Sequence, residues 1–321
     1  QPRPDPQRDR LQNLTQPRRG NRQTARFTKQ AGFQVRQTTH EVAHLRVPKV
    51  GWVRFVLSRP LPSDPSSVTV IREPDGTFHL SFVVDVPADE PRAPAHPGRA
   101  AGLDMGLTDY AAIVYSDGTR EKINNPRHLR TSERKLAKAQ RALSRKQKGS
   151  ANRVKARTRV ARTHARVCHQ RLDHAHQLAA RLIRENQAVA VETLSITGMV
   201  KTRLAKSVSD AGWGQFLRVL EEKATEHGRG FAQVPGNFPS SQICAVCGVR
   251  DGKKPLHIRA WECACGTLLD RDYNAATNVL AEGHSESVKA CGREVRLQLA
   301  GAHSDEAGTH RTDHAHQSAT A

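Results

Sequence analysis

AAGLDMGLTDYAAIVYSDG, residues 100–118, decides how this chain is read. An apolar run from Ala100 to Met105 carries one acid, Asp104, near its end and is closed by Gly106. A turn leads into a second apolar run, Tyr110 to Tyr115. Asp117-Gly118 then turns the chain into TREKINN, residues 119–125. The pattern predicts a three-strand meander with Asp104 at the end of its first strand. Taken alone, Asp104 reads as a turn residue. Its weight comes from two further acids in similar settings. AVAVETL, residues 188–194, reads as a short buried strand with Glu192 near its end. DRDYNAATN, residues 270–278, opens a helix with Asp272 in its first turn, and Gly283 is the natural stop. Alone, these read as a strand end and a helix cap.

Carboxylates that converge from separate elements can hold two Mg²⁺ ions about 3.5–4 Å apart and cleave phosphodiester bonds. Mg²⁺ takes hard oxygen ligands and keeps several waters, so few protein carboxylates suffice. Three strands, a helical segment, a strand and a final helix, with acids at these places, form a ribonuclease-H-like order. The fold class expected is α/β, with α+β character overall. Asp104, Glu192 and Asp272 are the candidate catalytic residues and Mg²⁺ ligands.

Just before the third acid stand Cys244-Ala245-Val246-Cys247 and Cys263-Ala264-Cys265, a C-x₂-C and a C-x-C separated by fifteen residues. Four thiolates in such pairs suit one tetrahedral Zn²⁺, and Gly248 and Gly266 allow the tight turns. With all four positions taken by protein, such a zinc is structural. Cys168 and Cys291 read as incidental thiols, and the spacing suits a reducing compartment better than a disulfide framework.

The net charge of the 321-residue chain is +20, which points to a polyanion, nucleic acid above all. The cations cluster in RKLAKAQRALSRKQK, residues 134–148, and RVKARTRVARTHAR, residues 153–166. Leu136, Ala139 and Leu143 mark one helix. Val167, Leu172, Leu178, Ala179 and Leu182 mark another, after a break at Gly149-Ser150. The excess of one sign favours a phosphate-tracking surface over a merely solvated face. Arg134, Lys135, Lys138, Arg141, Arg145, Lys146, Lys148, Arg153 and Lys155 are the candidate contacts. Aromatic residues make up 4% of the chain, so stacking is not expected to be the main binding mode. No stretch reaches the roughly 18 apolar residues of a membrane span, and the N-terminus lacks a signal-peptide core.

The remaining organisation follows from composition. Residues 1–31 read as a basic arm without regular structure. Residues 32–86 carry short β-type runs (GFQVRQ, HEVAHLRV, GWVRFVL, SSVTVIRE and FHLSFVVDV), with Asp75-Gly76 as a hairpin turn between the last two. A small antiparallel sheet or partial barrel is expected there. Residues 87–99 read as a Pro-rich linker, and 100–243 as the nuclease core with its basic helical segment at 131–186. The zinc ribbon covers 244–269, the last acidic helix 270–283, and a disordered tail 284–321. His303, His310, His314 and His316 fall in that tail.

LRVPKVGWVRFVLSRPLP, SSVTVIRE, GLDMGLTDYA, VETLSITGMVK, LAKSVSDAGWGQF, FPSSQICAVCG and CGTLLDRDYNAATN occur in this order between residues 45 and 278. By these motifs the chain resembles the insertion-sequence-encoded TnpB/OrfB proteins, RNA-guided DNA endonucleases related to the type V CRISPR effectors. The resemblance implies a RuvC-like nuclease whose three acidic motifs fall at Asp104, Glu192 and Asp272. Asp272 is preferred to Asp270 because related effectors place the ligand two residues before the asparagine matching Asn274. It implies a wedge-like β domain at 32–86, a zinc ribbon between the second and third acidic motifs, a DNA target, and a guide RNA from the mobile element. Action in the bacterial cytoplasm, at the nucleoid, goes with these partners. The family commonly has C-x₂-C where this chain has Cys263-Ala264-Cys265. It also carries a further wedge strand and a helical recognition segment ahead of the part matched here, so the resemblance implies an N-terminal truncation. The alternative to a guided endonuclease is a truncated, non-cleaving nucleic-acid-binding relic or regulator of transposition. A cut-and-join transposase ranks below both.

Overall fold

The computed structural model describes residues 16–17, 23–86, 93–255 and 257–291. These fall into two compact units. One contains residues up to 93 together with 125–181 and 196–228; the other contains 94–124, 182–195 and the described residues from 229 on.

In the first unit, β1 (Gln16–Pro17), β2 (Gln23–Thr28), β3 (Gln34–Gln37), β4 (Val42–Val47), β5 (Gly51–Val56), β6 (Ser67–Arg72) and β7 (Phe78–Val83) form two antiparallel sheets. Their orders are β1-β2-β6-β7 and β3-β4-β5. Both sheets contribute to one core, built from Phe33, Leu45, Val47, Val50, Val68 and Val70 with Phe55 and Phe82 against it. The strict alternation along β4 and β7 puts every second side chain into that core. Glu73, Asp75 and Gly76 close the β6–β7 hairpin: Glu73 N–H donates to Thr77 O, Asp75 accepts from Thr77, and Gly76 has φ 85°. Neither sheet closes into a barrel.

Part of the expected N-terminal arm is ordered. Gln23–Thr28 pairs along its whole length with Ser67–Arg72, and Arg72 and Arg26 donate to Gln23 and Ser67. QTARFT has little alternation of its own. Its strand state is set by a partner some forty to fifty residues away, which local composition does not reveal.

Two basic helices follow, α1 (His128–Ser144) and α2 (Ala151–Glu185). Leu136, Ala139 and Leu143 face inward on α1, and Val167, Leu178, Ala179 and Leu182 are buried on α2. No side chain of α1 itself caps its start. Asp210 does so from a distance, its carboxylate accepting from Leu129 N–H at 2.7 Å and Arg130 N–H at 3.1 Å while Arg171 stands 3.2 Å away. Asp210 belongs to α4 (Ala205–Ala211), which lies between the one-turn α3 (Ile196–Met199) and α5 (Trp213–Glu226). On α5, Phe216 and Leu220 are buried with Trp213 and Val219, Leu217 is half-buried, and the helix ends just before Gly228.

The second unit is built on a five-stranded sheet, order β10-β9-β8-β11-β12. Its members are β8 (His96–Met105), β9 (Asp109–Tyr115), β10 (Arg120–Asn124), β11 (Asn186–Glu192) and β12 (Gly230–Val234). The first three form the expected antiparallel meander. β11 then adds parallel to β8, and β12 parallel to β11. β8 begins inside the expected linker, because His96 already pairs with Asn186 and Ala95 N–H donates to Arg184 O. A two-stranded ribbon, β13 (Ala260–Glu262) with β14 (Leu268–Asp270), precedes the last helix, α6 (Arg271–Cys291).

That helix runs past its expected stop. Gly283 is not its cap but a close-packing position: a Cβ there would meet the Cβ of Ala190 on β11. Gly102 on β8 does the same work one strand over, where a Cβ would strike Ala276 O and come within 2.5 Å of the Leu280 Cβ. Ala276, Val279 and Leu280 are buried on the sheet at these contacts. The tail histidines lie outside the described residues. Among the described residues no helix is long and apolar enough to cross a membrane.

Gly102→Ala is expected to destabilise the protein by about 1–3 kcal/mol, the usual cost of overpacking. The backbone oxygen of Ala276 cannot swing aside as a side chain would. Urea unfolding measures the loss; unchanged stability would mean that α6 does not press on β8.

Candidate active site and metal-binding cluster

Strand and helix geometry bring the three acids to one place. Gly102 and Asp104 are two apart on β8 and share a face, the face that α6 covers at Gly102. Ala190 and Glu192 share the corresponding face of β11, and Val191 pairs with Leu103. Asp272 stands one helical turn before Ala276, the residue lying over Gly102. The acids of β8, β11 and α6 therefore meet at the start of the helix. Their fields register on each other. The Asp104 carboxyl is held well above the usual carboxylate range, by burial first and then by the charges of Glu192 and Asp272, with Arg271 and Arg259 opposing. Burial also raises Glu192.

The structure distinguishes Asp270 from Asp272. Asp270 is the N-cap of α6: its Oδ1 accepts from the N–H groups of Asp272 at 3.0 Å and Tyr273 at 3.1 Å. Burial works against its charge but is outweighed by these bonds and by Lys122, which leave its carboxyl below the usual range. The Asp272 carboxylate takes no part in the cap, and its charge is one of those that raise Asp104.

Two cations attend the cluster. Lys122 Nζ on β10 lies 2.9 Å from Asp270 and 3.5 Å from Asp272. Arg259 stands 3.3 Å from the other Asp272 oxygen and donates to Thr108 Oγ1 at 3.0 Å. Sequence reading missed both. Lys122 alternates with Arg120 in an ordinary strand, and Arg259 sits in the cysteine-rich loop with no motif of its own.

The four cysteines come together as their spacing predicts. The Sγ atoms of Cys244, Cys247, Cys263 and Cys265 all lie within 4.8 Å of one another, with Cys244–Cys265 at 3.9 Å and Cys247–Cys263 at 3.6 Å. A tetrahedral ion with bonds of about 2.3 Å to sulfur requires sulfurs about 3.8 Å apart. The set can hold one metal ion, the C-x-C included. Gly248 N–H donates to Cys244 O and Gly266 N–H to Cys263 O, forming the two knuckles. Trp261 and Leu269 pack beside Cys244 and Cys263, and Lys254 lies 4.1 Å over the Trp261 ring. Cys168 is exposed and apart.

This small domain is tied to α6. Asn274 Nδ2 donates to Ile243 O at 2.7 Å, and its Oδ1 accepts from Ala245 N–H at 2.8 Å. Asn278 donates to Ser240 O and Ile243 O. Arg271 reaches Pro255 O at 2.8 Å, and its N–H donates to Arg259 O. The asparagines fix the first knuckle, and Arg271 fixes the segment that carries Arg259 to Asp272.

Of the basic candidates, Arg134, Lys135, Lys138, Arg141, Arg145, Lys146, Lys148 and Lys155 are exposed on α1 and α2 or in the turn between them. Arg153 differs. It is half-buried and donates to Lys146 O at 2.9 Å and Leu143 O at 3.3 Å, closing the C-terminal end of α1.

Residues 81–203 match the family model described as a probable transposase, OrfB_IS605, and residues 213–279 match the Cas12f1-like TNB domain. A putative RNA-guided DNA endonuclease of Streptomyces pristinaespiralis is 40% identical over 245 residues, 75% of this chain and 58% of that one. The putative RNA-guided DNA endonuclease InsQ of Escherichia coli K12 is 30% identical over 275 residues, 80% of this chain and 65% of that one. The chain thus spans about three-fifths of the length of these relatives. Its fold is similar to that of Cas12f1 in a complex with guide RNA and target DNA, with TM-score 0.50 and 15% identity, covering 80% of this chain and 59% of the other. Motifs, core fold and relatives agree, and the chain belongs to the insertion-sequence TnpB/OrfB family.

Proposed function

We propose that this protein is an RNA-guided, Mg²⁺-dependent DNA endonuclease of a mobile element. One observation carries the reading: Asp104, Glu192 and Asp272 converge from two adjacent strands and a helix start, closely enough for two of them to raise the third. Acids that repel one another in a partly buried site are arranged for cations. The donor set, three carboxylates, suits Mg²⁺, which prefers oxygen ligands. Two such ions would activate the attacking water and stabilise the leaving oxygen. The carboxylates would fix where the scissile phosphate sits. Lys122 and Arg259 hold Asp272 from the side and add positive charge where phosphate arrives. The cations of α1 and α2 would track the backbone of an RNA–DNA heteroduplex, with base pairing supplying sequence choice. The four cysteines are assigned one Zn²⁺, which supports the domain that carries Arg259.

Asp104→Ala, Glu192→Ala and Asp272→Ala are each expected to lower guided DNA cleavage by roughly a hundredfold or more, about 3 kcal/mol in barrier, while affinity for nucleic acid persists. Asp270→Ala removes a helix cap and should cost about 1 kcal/mol of stability with cleavage retained in part. Single-turnover cleavage in Mg²⁺ with the cognate guide decides this. Full activity of Asp272→Ala beside a dead Asp270→Ala would reverse the assignment.

The raised carboxyls also fix a pH dependence. Folded Asp104 holds its proton more tightly than the unfolded chain does. Stability of the Mg²⁺-free protein is therefore lost as pH rises from about 4, the ordinary carboxylate value, through the raised folded value. Asp104→Asn should remove that loss and raise the melting temperature by a few degrees at neutral pH, about 1 kcal/mol. Added Mg²⁺ should stabilise the wild type more than the variant. Melting curves from pH 4 to 8 test both; identical slopes for the two proteins would count against the buried-acid account.

Elemental analysis should find one zinc per chain. Cys244→Ser or Cys265→Ser should lower that content, open residues 240–270 to protease and slow cleavage, since Arg259 loses its support. Zinc-free protein with an intact, protease-resistant ribbon would show that the metal is dispensable.

A further inference from the structure

The start of α1 is held by contacts that its own residues do not supply. Its N-cap, Arg127, has φ 47°, a left-handed conformation unfavourable for a residue with a Cβ, and makes no side-chain cap. The amides of Leu129 and Arg130 donate instead to Asp210 of α4. Beside this contact lie two imidazoles, His128 on α1 and His174 on α2, with ring centroids 6.2 Å apart and planes at 70°. The place does not suit a charged ring. In an imidazolium both ring nitrogens donate, and His128 Nε2 is buried with no hydrogen-bond partner among the described residues. Arg171 of α2 already brings a guanidinium here, 3.2 Å from Asp210, and its Nε is likewise buried and unpartnered. A cation on the first residue of a helix also opposes the positive end of the helix dipole. Asp210 and Asp173 pull the other way. Both Asp210 oxygens are already engaged by the two amides and Arg171, while Asp173 is exposed on α2 and accepts from Gln177. The other ties between α1 and α4 are exposed: Arg130 donates to Ser207, and Glu133 pairs with Lys206. Burial wins. It holds both imidazoles below their ordinary value of 6.5, with Arg171 adding to it at His128 and His128 adding to it at His174.

We propose that this contact is an acid-released latch: protonating the His128–His174 pair frees the first turn of α1 from α2 and α4. The inference stands apart from the endonuclease reading, because all its groups belong to helices of the first unit. The docked turn admits two neutral imidazoles. A histidine held below its ordinary value in the folded chain stabilises the fold above that value, and the stabilisation is lost as pH falls. The contact is therefore complete above pH 6.5 and weakens below it. Release lets Arg127 leave its left-handed conformation, and water takes over the amides of Leu129 and Arg130. Arg134, Lys135, Lys138 and Arg141 are exposed on the same helix, so acid loosens the mounting of that charged surface.

Melting of the whole protein would mix this effect with that of Asp104, which runs in the opposite direction, so the readout is local. Hydrogen exchange of the full chain is followed by mass spectrometry on peptides covering residues 128–135, at about pH 7.5 and about pH 5, with labelling times scaled for intrinsic exchange. Protection there should fall roughly fivefold in acid, the scale of one charge at the wrong end of a helix. The amides of β8 and β11 should keep theirs. The double variant His128→Gln/His174→Phe takes up neither proton and should stay protected in acid. His174→Lys, a cation throughout, should show the acid-state protection already at neutral pH. Equal protection of the wild type at both pH values overturns the latch. An equal acid loss in the double variant overturns the histidine pair as its sensor, and a loss shared by β8 and β11 overturns local release. If the double variant does not fold, the single variants decide: an acid loss as large in His174→Phe as in the wild type, with His174→Lys fully protected at neutral pH, overturns the pair. Guided cleavage enters none of these readings, so the endonuclease proposal stands or falls separately.

Discussion

The close approach of α6 to the central sheet is the constraint on which the second unit depends. Gly102 and Gly283 let the helix lie almost on the backbone of β8 and β11. Side chains at either position would lift the helix away. With the helix down, its first turn falls beside the ends of the same two strands, and Asp272 meets Asp104 and Glu192. The same helix presents Asn274 and Asn278 to the knuckle carbonyls. One packing contact therefore sets the acid site and the mounting of the metal-binding domain.

Electrostatics sets the cost of this arrangement. Bringing three carboxylates into a partly buried place raises Asp104 and Glu192, and part of the relief comes from groups the packing already supplies. The N-terminal end of α6 contributes a partial positive charge. Arg271 and Arg259 contribute whole ones against Asp104, and Lys122 answers Asp270 and Asp272. Desolvation would favour loss of the Lys122 proton, yet its contacts with Asp270 and Asp272 outweigh this and raise it, so it remains a cation. Asp270 has a separate task, since its oxygens hold the helix start and Lys122. The two aspartates of DRD differ in their partners: Asp270 builds the helix end, while Asp272 stays out of the cap, between Lys122 and Arg259, and adds its charge to the field on Asp104.

Much of this was legible in the sequence because it is local. The meander, the strand ending at Glu192, the two basic helices and the two knuckles each announce themselves by period or spacing within one segment. What was missed is non-local. Gln23–Thr28 is a strand because Ser67–Arg72 is beside it. His96 belongs to β8 because Asn186 is its neighbour. Gly283 read as a stop because glycine usually ends helices, whereas here it marks a contact with a strand ninety residues earlier. Lys122 and Arg259 carry no motif, and only the folded chain shows that they share Asp272. Arg153 read as one more member of a basic run, and the sequence does not show that one nitrogen of its guanidinium donates to the end of α1.

The Arg153 case shows how charge in this protein should be apportioned. A net +20 is a statement about partners, but each cation has a local account. Arg153 and Arg271 satisfy carbonyls, Arg171 answers Asp210, and Lys122 and Arg259 answer Asp272. These belong to the fold and to the acid site. Among the described residues, Arg134, Lys135, Lys138, Arg141, Arg145, Lys146, Lys148 and Lys155, on α1, on α2 and in the turn between them, have no ion-pair partner, and these are the cations that the fold leaves over.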